Sequence, residues 1–486
     1  MGRHARRPSA PPPGKAAKGA WLIAGAVAVT GLAATGGAAH ADTPGVERSD
    51  FDNSGSSDLV ASVPAASSSA GAVSVLPGGA SGPSATGRKI LTQNSGSVPG
   101  SSEKGDRFGA ATASGDLDGD GRLDLVVGAP GEDDTSGTTD RGAVTILTGK
   151  SGLTGGTYFT TGSRWGTAQK ARLGTDVEVG DINGDGLDDA IGIGPGTAGS
   201  APWVVWRDSA TGATHSGAVG YDPAVAIDGA VGDFNADGHD DLAVTVVDVY
   251  GTAKVYELTG SASGFEGGFG AAVSGGRAVD AGDINGDGHD DLVVGQPVAA
   301  DANGRAGGQI TVKLGSAAGL QAQGGTLTVH QATTGVPGAA EAGDAMGTDV
   351  ALSDLDGDGT LDIVAGLPGE DLTVSGTSRK NAGAALLLRL TGSADGTGVA
   401  LASAQALQQG RDGIGGVPES ADRFGSAVAA DDFTGTDATS LVIGAEGENT
   451  GDGTMVHRTA GGTGTYVGRS VAGTPVDGGL GGVLAP

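Results

Sequence analysis

The chain has 486 residues, 96 of them glycine, with 3% aromatic residues, no cysteine and a formal net charge of −29. Such acidity disfavours nucleic acid and anionic membrane surfaces as partners, and without cysteine no disulfide braces the fold. The glycines follow no G-X-Y period, which excludes collagen, and recurrent apolar runs argue against wholesale disorder.

At the N-terminus, Arg3, Arg6, Arg7, Lys15 and Lys18 precede an Ala/Gly/Val-rich stretch from Ala20 to Ala34, and Ala39-His40-Ala41 has the A-x-A form of a cleavage site. Residues 1–41 read as an export signal. A membrane anchor is the weaker reading, because the stretch is short and glycine-broken and no stop-transfer pattern follows. Arg6-Arg7 leaves Sec and twin-arginine export both open. Cleavage removes five positive charges and no acid, taking the net charge to −34. The residues from Gly481 to Pro486 carry no apolar tail, so the expectation is a secreted, extracellular monomer with no membrane attachment after cleavage.

Residues 42–486 hold seven copies of one short acidic pattern, at 50–58, 116–124, 181–189, 233–241, 283–291, 354–362 and 432–440. Starts spaced 50 to 78 residues apart mark a repeat array. The sharpest copy places carboxylates at positions 1, 3, 5 and 9 (Asp116, Asp118, Asp120, Asp124), glycine at 6 (Gly121) and a backbone carbonyl at 7 (Arg122). The same register gives Asp181, Asn183, Asp185, Leu187 and Asp189, then Asp233, Asn235, Asp237, His239 and Asp241. It recurs as Asp283, Asn285, Asp287, His289 and Asp291, and as Asp354, Asp356, Asp358, Thr360 and Asp362.

Alternate side chains of a tightly curled loop converge, and hard oxygen donors without Cys select Ca²⁺ over zinc or copper. His239 and His289 occupy position 7, where only the main chain is needed, and read as solvent-facing. An EF-hand needs a bidentate Glu at position 12, where these loops have Val127, Gly192, Val244, Val294 and Ala365. The expectation is five Ca²⁺ ions, a weak sixth at Asp50, Asp52 and Asp58, and none in the last copy, where Thr434, Thr436 and Ser440 replace carboxylates.

A small-residue strand precedes each loop and a continuous apolar strand follows it, as in Phe108 to Gly115 and Leu125 to Ala129. More distal strands follow at Gly142 to Leu147 and Gly308 to Leu314. Four strands per repeat is the arithmetic of a propeller blade, with the small-residue strand near the axis.

Phe-Gly, then Gly-Asp-x-Asn/Asp-Gly-Asp-Gly-x-x-Asp-Leu, then Val-Gly-Ala-Pro-Gly-Glu resembles the FG-GAP repeat of the integrin α-subunit N-terminal domain and its bacterial secreted relatives. Similar lead-in segments run from Val98 to Gly109, Val336 to Gly347 and Val417 to Gly425. Repeats 3 to 5 keep the acidic loop but lose the Phe-Gly, as at Leu173-Gly174 and Val279-Asp280. The resemblance implies an all-β, seven-bladed β-propeller of four-stranded antiparallel blades. It places Ca²⁺ loops between the first and second strands on one face, and ligand binding on the other. The first repeat begins at its loop with no strand before it, so residues 478–486 are expected to supply the closing strand of blade 1.

Catalysis is not expected: there is no Gly-x-Ser-x-Gly and no cysteine, and His215, His330 and His457 have no partner motif. The candidate ligand-binding cluster is Arg164, Trp165, Lys170 and Arg172 with Trp203, Trp206 and Arg207, since aromatic and cationic residues favour binding hot spots. The competing reading packs these tryptophans between blades. The function expected is a binding or cell-adhesion-type module for an extracellular protein or glycan. The alternatives are a hydrolase or lyase on an extracellular polymer, or a structural envelope protein.

Overall fold

The computed structural model describes residues 49–134, 137–161, 170–196, 200–267, 273–301, 304–321, 326–392, 398–476 and 478–485. The export-signal reading of residues 1–41, and Arg164 and Trp165, lie outside them. The described residues form seven antiparallel sheets of four strands, the blades of a β-propeller.

Taken from the axis outward, blade 2 comprises Thr112–Gly115, Asp124–Ala129, Ala143–Leu147 and Gly156–Phe159. Blade 3 comprises Asp176–Gly180, Asp189–Gly194, Trp203–Arg207 and Thr214–Ala218. Blade 4 has Ala224–Gly232, Asp241–Asp248 and Ala253–Thr259, with its outermost strand in two pieces, Glu266–Gly267 and Val273–Ser274. Blade 5 has Ala278–Gly282, Asp291–Gln296, Gln309–Lys313 and Thr326–Val329. Blade 6 has Val350–Ser353, Asp362–Leu367, Ala384–Gly392 and Val399–Leu407, plus a small hairpin of Leu372–Val374 and Thr377–Arg379. Blade 7 runs Phe424–Asp431, Ser440–Ala445, Thr454–Arg458 and Gly464–Gly468.

Burial explains the sequence pattern. Second strands such as Asp124–Ala129 and Ser440–Ala445 are buried at every position, because neighbouring blades cover both of their faces. The outermost strand of blade 6, Val399–Leu407, is largely exposed or half-buried. The apolar core is distributed between blades: each of seven clusters joins residues of two neighbours. Leu125 and Val127 of blade 2 meet Val60 and Val75 of blade 1, and Ile191 and Val204 of blade 3 meet Leu242 and Val244 of blade 4.

The Phe-Gly dipeptides act at these seams. The N–H of Phe108 donates to Ala70 O (3.1 Å), that of Met346 to Gly307 O (2.8 Å) and that of Phe424 to Ala382 O (3.0 Å), hooking each blade to the one before. Leu173 makes the equivalent bond to Arg141 O (3.1 Å), so blade 3 keeps the hook without the phenylalanine. At four seams the next glycine lies on a glycine in the preceding blade's second strand. A Cβ on Gly128, Gly295, Gly366 or Gly444 would overlap the carbonyl oxygen of Gly174, Gly347, Gly425 or Gly481 respectively. These glycines are fixed by the separation of two backbones.

Blade 1 is built from both ends of the repeat region. Val483–Ala485 is its innermost strand, followed by Leu59–Ser62, Val73–Leu76 and Lys89–Leu91. Val60 faces Ala485, Ala61 faces Leu484 and Ser62 faces Val483. Leu480 is fully buried among Leu59, Leu76, Phe433 and Met455, and its N–H donates to Asp452 O (3.1 Å), the same hook as at Phe108. Leu480→Ala is expected to cost about 2–5 kcal/mol, and deleting residues 478–486 to lower the melting temperature further. A truncated protein that melts with the intact one in differential scanning calorimetry contradicts this role.

Candidate metal loops and the opposite face

Within a four-stranded antiparallel blade, the first-to-second and third-to-fourth turns lie at one end, and the second-to-third turns and blade-to-blade connections at the other. The acidic loops therefore share one face. In blade 2, Asp116 Oδ1 accepts the N–H of Asp120 (3.1 Å), its Oδ2 accepts that of Gly121 (2.8 Å), and Asp120 Oδ1 accepts that of Arg122 (3.1 Å). Blade 3 repeats the three bonds through Asp181 and Asp185, blade 4 through Asp233 and Asp237, blade 5 through Asp283 and Asp287, and blade 6 through Asp354 and Asp358. Gly121 adopts φ +77°, the left-handed turn that glycine supplies without steric cost.

The position-9 carboxylate works differently. Asp124 Oδ1 accepts the N–H of Gly149 (2.7 Å), Asp189 Oδ1 that of Ser209 (2.9 Å), Asp241 Oδ1 that of Gly260 (2.8 Å), Asp291 Oδ1 that of Gly315 (2.8 Å) and Asp362 Oδ1 that of Leu390 (2.8 Å). One oxygen thus clamps the loop to the end of the third strand. The other oxygen of Asp124 and of Asp241 is buried without a hydrogen-bond partner, as is Asn235 Oδ1 at position 3 of blade 4. Carboxylate oxygens of Asp50, Asp52 and Asp58, of Asp116, Asp118 and Asp120, and of Asp354, Asp356 and Asp362 lie within 4.8 Å of one another. In blades 3 to 5 the neutral Asn183, Asn235 and Asn285 stand at position 3. Burial first, then neighbouring loop carboxylates, pushes Asp124 and Asp362 up to about 6, Asp58 and Asp189 to about 7, and Asp241 and Asp291 to about 8. Orphaned buried oxygens in an all-oxygen donor set fit a hard divalent cation.

Side chains modify individual loops. His239 Nδ1 and His289 Nδ1 lie 3.1 and 3.2 Å from Asp237 Oδ1 and Asp287 Oδ1, at the exposed rim. In blade 6, Arg389 reaches Asp356 and Asp362, both at 3.1 Å, putting a guanidinium beside the ligand set. The blade 7 loop keeps the curl with another chemistry. Asp432 accepts the N–H groups of Thr436 (3.0 Å) and Asp437 (2.7 Å), and Thr434 donates its hydroxyl to it. Ser440 meets Nε2 of the buried His457 at 3.1 Å, and burial lowers that imidazole to about 4. A neutral Ser–His contact stands where other loops carry the position-9 carboxylate.

Two acidic sets were not singled out from sequence. Position 8 links the loops: Asp188 Oδ2 accepts the N–H of Asp116 (2.8 Å), Asp240 Oδ2 that of Asp181 (2.7 Å) and Asp290 Oδ2 that of Asp233 (2.8 Å), each reaching back one blade. The tandem Asp-Asp at positions 8 and 9 was the available signal. The second set sits on or beside the innermost strands. Asp228 Oδ2 accepts the N–H of Val279 (2.9 Å), Asp280 Oδ2 that of Leu352 (2.7 Å) and Asp349 Oδ2 that of Val428 (2.8 Å). With Asp176 and Glu178 they form a mutually repelling group near the axis. Burial raises Asp280 to about 6 and Asp176 and Asp349 to about 7, and lifts Glu178 and Asp228 well above the usual range.

The described members of the Trp/Arg cluster do not share one surface. Trp203 and Trp206 are buried, each 7% exposed. Trp206 stacks on His215 (centroids 5.2 Å), meets Phe265 edge-on (5.1 Å) and packs between blades 3 and 4. Arg207 Nη1 donates to Gly212 O (2.7 Å) in its own hairpin, while Lys170 and Arg172 are exposed on the segment leading into blade 3. Correcting the sequence expectation, both tryptophans are core residues, because the third strand of a blade is covered by its neighbour. Exposed tyrosines lie elsewhere: Tyr158 and Tyr466 on the outermost strands of blades 2 and 7, and the most exposed, Tyr221 (71%) and Tyr250 (79%), with exposed Val225 and Val249, at the connections of blade 4 opposite the acidic loops. Val249 N–H donates to Pro223 O (3.2 Å), joining the two segments. Among the described residues, no helix is long and apolar enough to cross a membrane.

The axial acids set a pH dependence. Their folded-state pKa values lie above the ordinary carboxylate value, so the folded protein holds protons that the unfolded chain releases. Their contribution is fully present near pH 4 and lost as pH rises through 6 to 7. At fixed free calcium, Asp280→Asn is expected to reduce the stability lost between pH 5 and pH 8 by about 1–2 kcal/mol, read from denaturant melts at both pH values. An unchanged difference contradicts the assignment.

Comparison with known families agrees with this geometry. The FG-GAP repeat model matches residues 108–147 and 346–388, and the FG-GAP-like repeat model matches residues 233–294. No curated protein matches the chain significantly. The FG-GAP segments run from the seam hook across the acidic loop into the buried strands of blades 2 and 6, and the FG-GAP-like segment runs from the acidic loop of blade 4 to the second strand of blade 5. The chain carries FG-GAP and FG-GAP-like repeats and folds as a seven-bladed β-propeller, as in the N-terminal domains of integrin α subunits.

Proposed function

We propose that this protein is a secreted binding or cell-adhesion-type module for an extracellular protein or glycan, held rigid by Ca²⁺ in the loops of blades 2 to 6, with a weaker site in blade 1. The observation that carries the reading is the division of labour between faces. One face is closed by acidic loops that hold their own backbone and each other, while the other presents Tyr221 and Tyr250, the two most exposed tyrosines, beside exposed Val225 and Val249. Exposed tyrosines supply rigid amphipathic contact area at low entropic cost. FG-GAP propellers are typically non-catalytic and often extracellular, which supports binding over turnover.

In a protein without disulfides, Ca²⁺ acts as the staple. For sites of about 10⁻⁴ M affinity at about 1 mM free Ca²⁺, each ion adds about 1.4 kcal/mol, and five independent ions add roughly 7. That sum is comparable with the whole stability of a typical domain. Chelation is expected to lower the melting temperature clearly and reversibly, and a melt unchanged by chelator rejects the structural role. For binding, the protein is screened against glycan and extracellular-protein arrays beside Tyr221→Ala/Tyr250→Ala. Saturable retention lost at least tenfold in the variant, with the melt unchanged, is the expected outcome. Retention equal in both proteins sends the search to another surface, and polymer turnover replaces the binding reading with an enzymatic one.

A further inference from the structure

Three similar polar clusters, each a pocket of buried side chains, lie at the blade connections, on the face away from the acidic loops. Each takes a glutamine from just after the outermost strand of one blade, an aspartate from the segment leading into the next, and a glutamate from that blade's second-to-third turn. The sets are Gln93, Asp106 and Glu132 at the seam of blades 1 and 2, Gln331, Asp344 and Glu370 between blades 5 and 6, and Gln409, Asp422 and Glu448 between blades 6 and 7. The glutamine Nε2 donates to the glutamate at 2.5, 2.8 and 2.9 Å respectively. That bond orients the amide and leaves the carbonyl oxygen as the acceptor end.

In all three pockets that oxygen is buried and has no hydrogen-bond partner, on side chains only 3%, 4% and 2% exposed. The aspartates are equally buried, at 2%, 2% and 3%. One oxygen of each is engaged, by the N–H of Glu103, Glu341 (2.6 Å) and Glu419 (2.6 Å). In the third pocket the Asp422 and Glu448 side chains meet directly. A buried carbonyl oxygen left without a donor costs about 1–3 kcal/mol, and the glutamate on the same amide and the aspartate that interacts with it add charge that burial penalises. In the third pocket a cationic side chain, Arg379, also acts on the aspartate. The same arrangement at three seams is a repeated feature.

We propose that each pocket is a divalent-cation site in which the glutamine Oε1, the aspartate and the glutamate are ligands, with water or main-chain oxygens completing the shell. Three hard oxygens suit Ca²⁺ or Mn²⁺ and offer no nitrogen or sulfur for softer metals. Burial agrees with this: it raises Asp106 and Glu370 to about 7, a cost that a bound cation offsets. Such an ion ties the end of one blade to the start of the next, on the face that the acidic loops leave unbraced.

The test is crystallographic, on the full mature chain grown with MnCl₂. Anomalous density within coordination reach of Gln93, Gln331 and Gln409 Oε1 is expected, alongside separate peaks in the acidic loops. Filled loops with water, a shared carboxyl proton or nothing at the three glutamines overturn this proposal and leave the loop reading standing. Empty loops with filled pockets do the reverse. In solution, Gln331→Met is expected to lower the Mn²⁺ stoichiometry by one ion in native mass spectrometry. An unchanged count overturns the site, and should the variant not fold, the crystal of the unaltered chain decides.

Discussion

The structure depends on how closely one backbone can lie on the next. At four seams the carbonyl oxygen of a lead-in glycine rests where a side chain on the preceding blade's second strand would be, so Gly128, Gly295, Gly366 and Gly444 set the spacing of the ring. Side chains then fill what remains, and the seven apolar clusters all lie between blades. A blade alone has no core of its own, which is why the repeats are stable only as a closed set.

Closure gives the polar residues their shared style. Carboxylates here mainly hold backbone N–H groups: position 1 curls its loop, position 9 clamps the third strand, position 8 reaches back to the preceding blade, and the axial acids reach forward to the following one. One residue type thereby supplies local turns and long-range ties, and collects charge at the loop face, the axis and three seams. Cations and protons are the two ways such charge is relieved. Cations suit the loops, whose oxygens converge, and protons suit the axial acids, of which Asp228, Asp280 and Asp349 are already bonded to a neighbour's main chain.

Much of this was legible in the residues. The acidic register, the glycine at position 6 and the small-then-apolar strand order all reflect local geometry, which repeats wherever the same turn recurs. The pairing of Val483–Ala485 with Leu59–Ser62 followed from an orphan loop at one end and an orphan strand at the other. The binding surface was not legible in the same way. Trp203 and Trp206 stand out by composition, but their strand is covered by blade 4, whereas Tyr221 and Tyr250 lie about thirty residues apart, on two segments joined through Val249 N–H and Pro223 O at the connections of blade 4.

By itself the sequence determined the repeat, the blade count and the donor chemistry of the loops, because each is encoded within a few consecutive residues. Tertiary structure decided which acids face the axis, since the mutual approach of Asp176, Glu178, Asp228, Asp280 and Asp349 exists only once the inner strands of different blades surround a centre. It also decided that Gln93, Gln331 and Gln409 meet carboxylates 39 residues further on. Those contacts cross from one blade to the next, and only closure of the ring sets their distance.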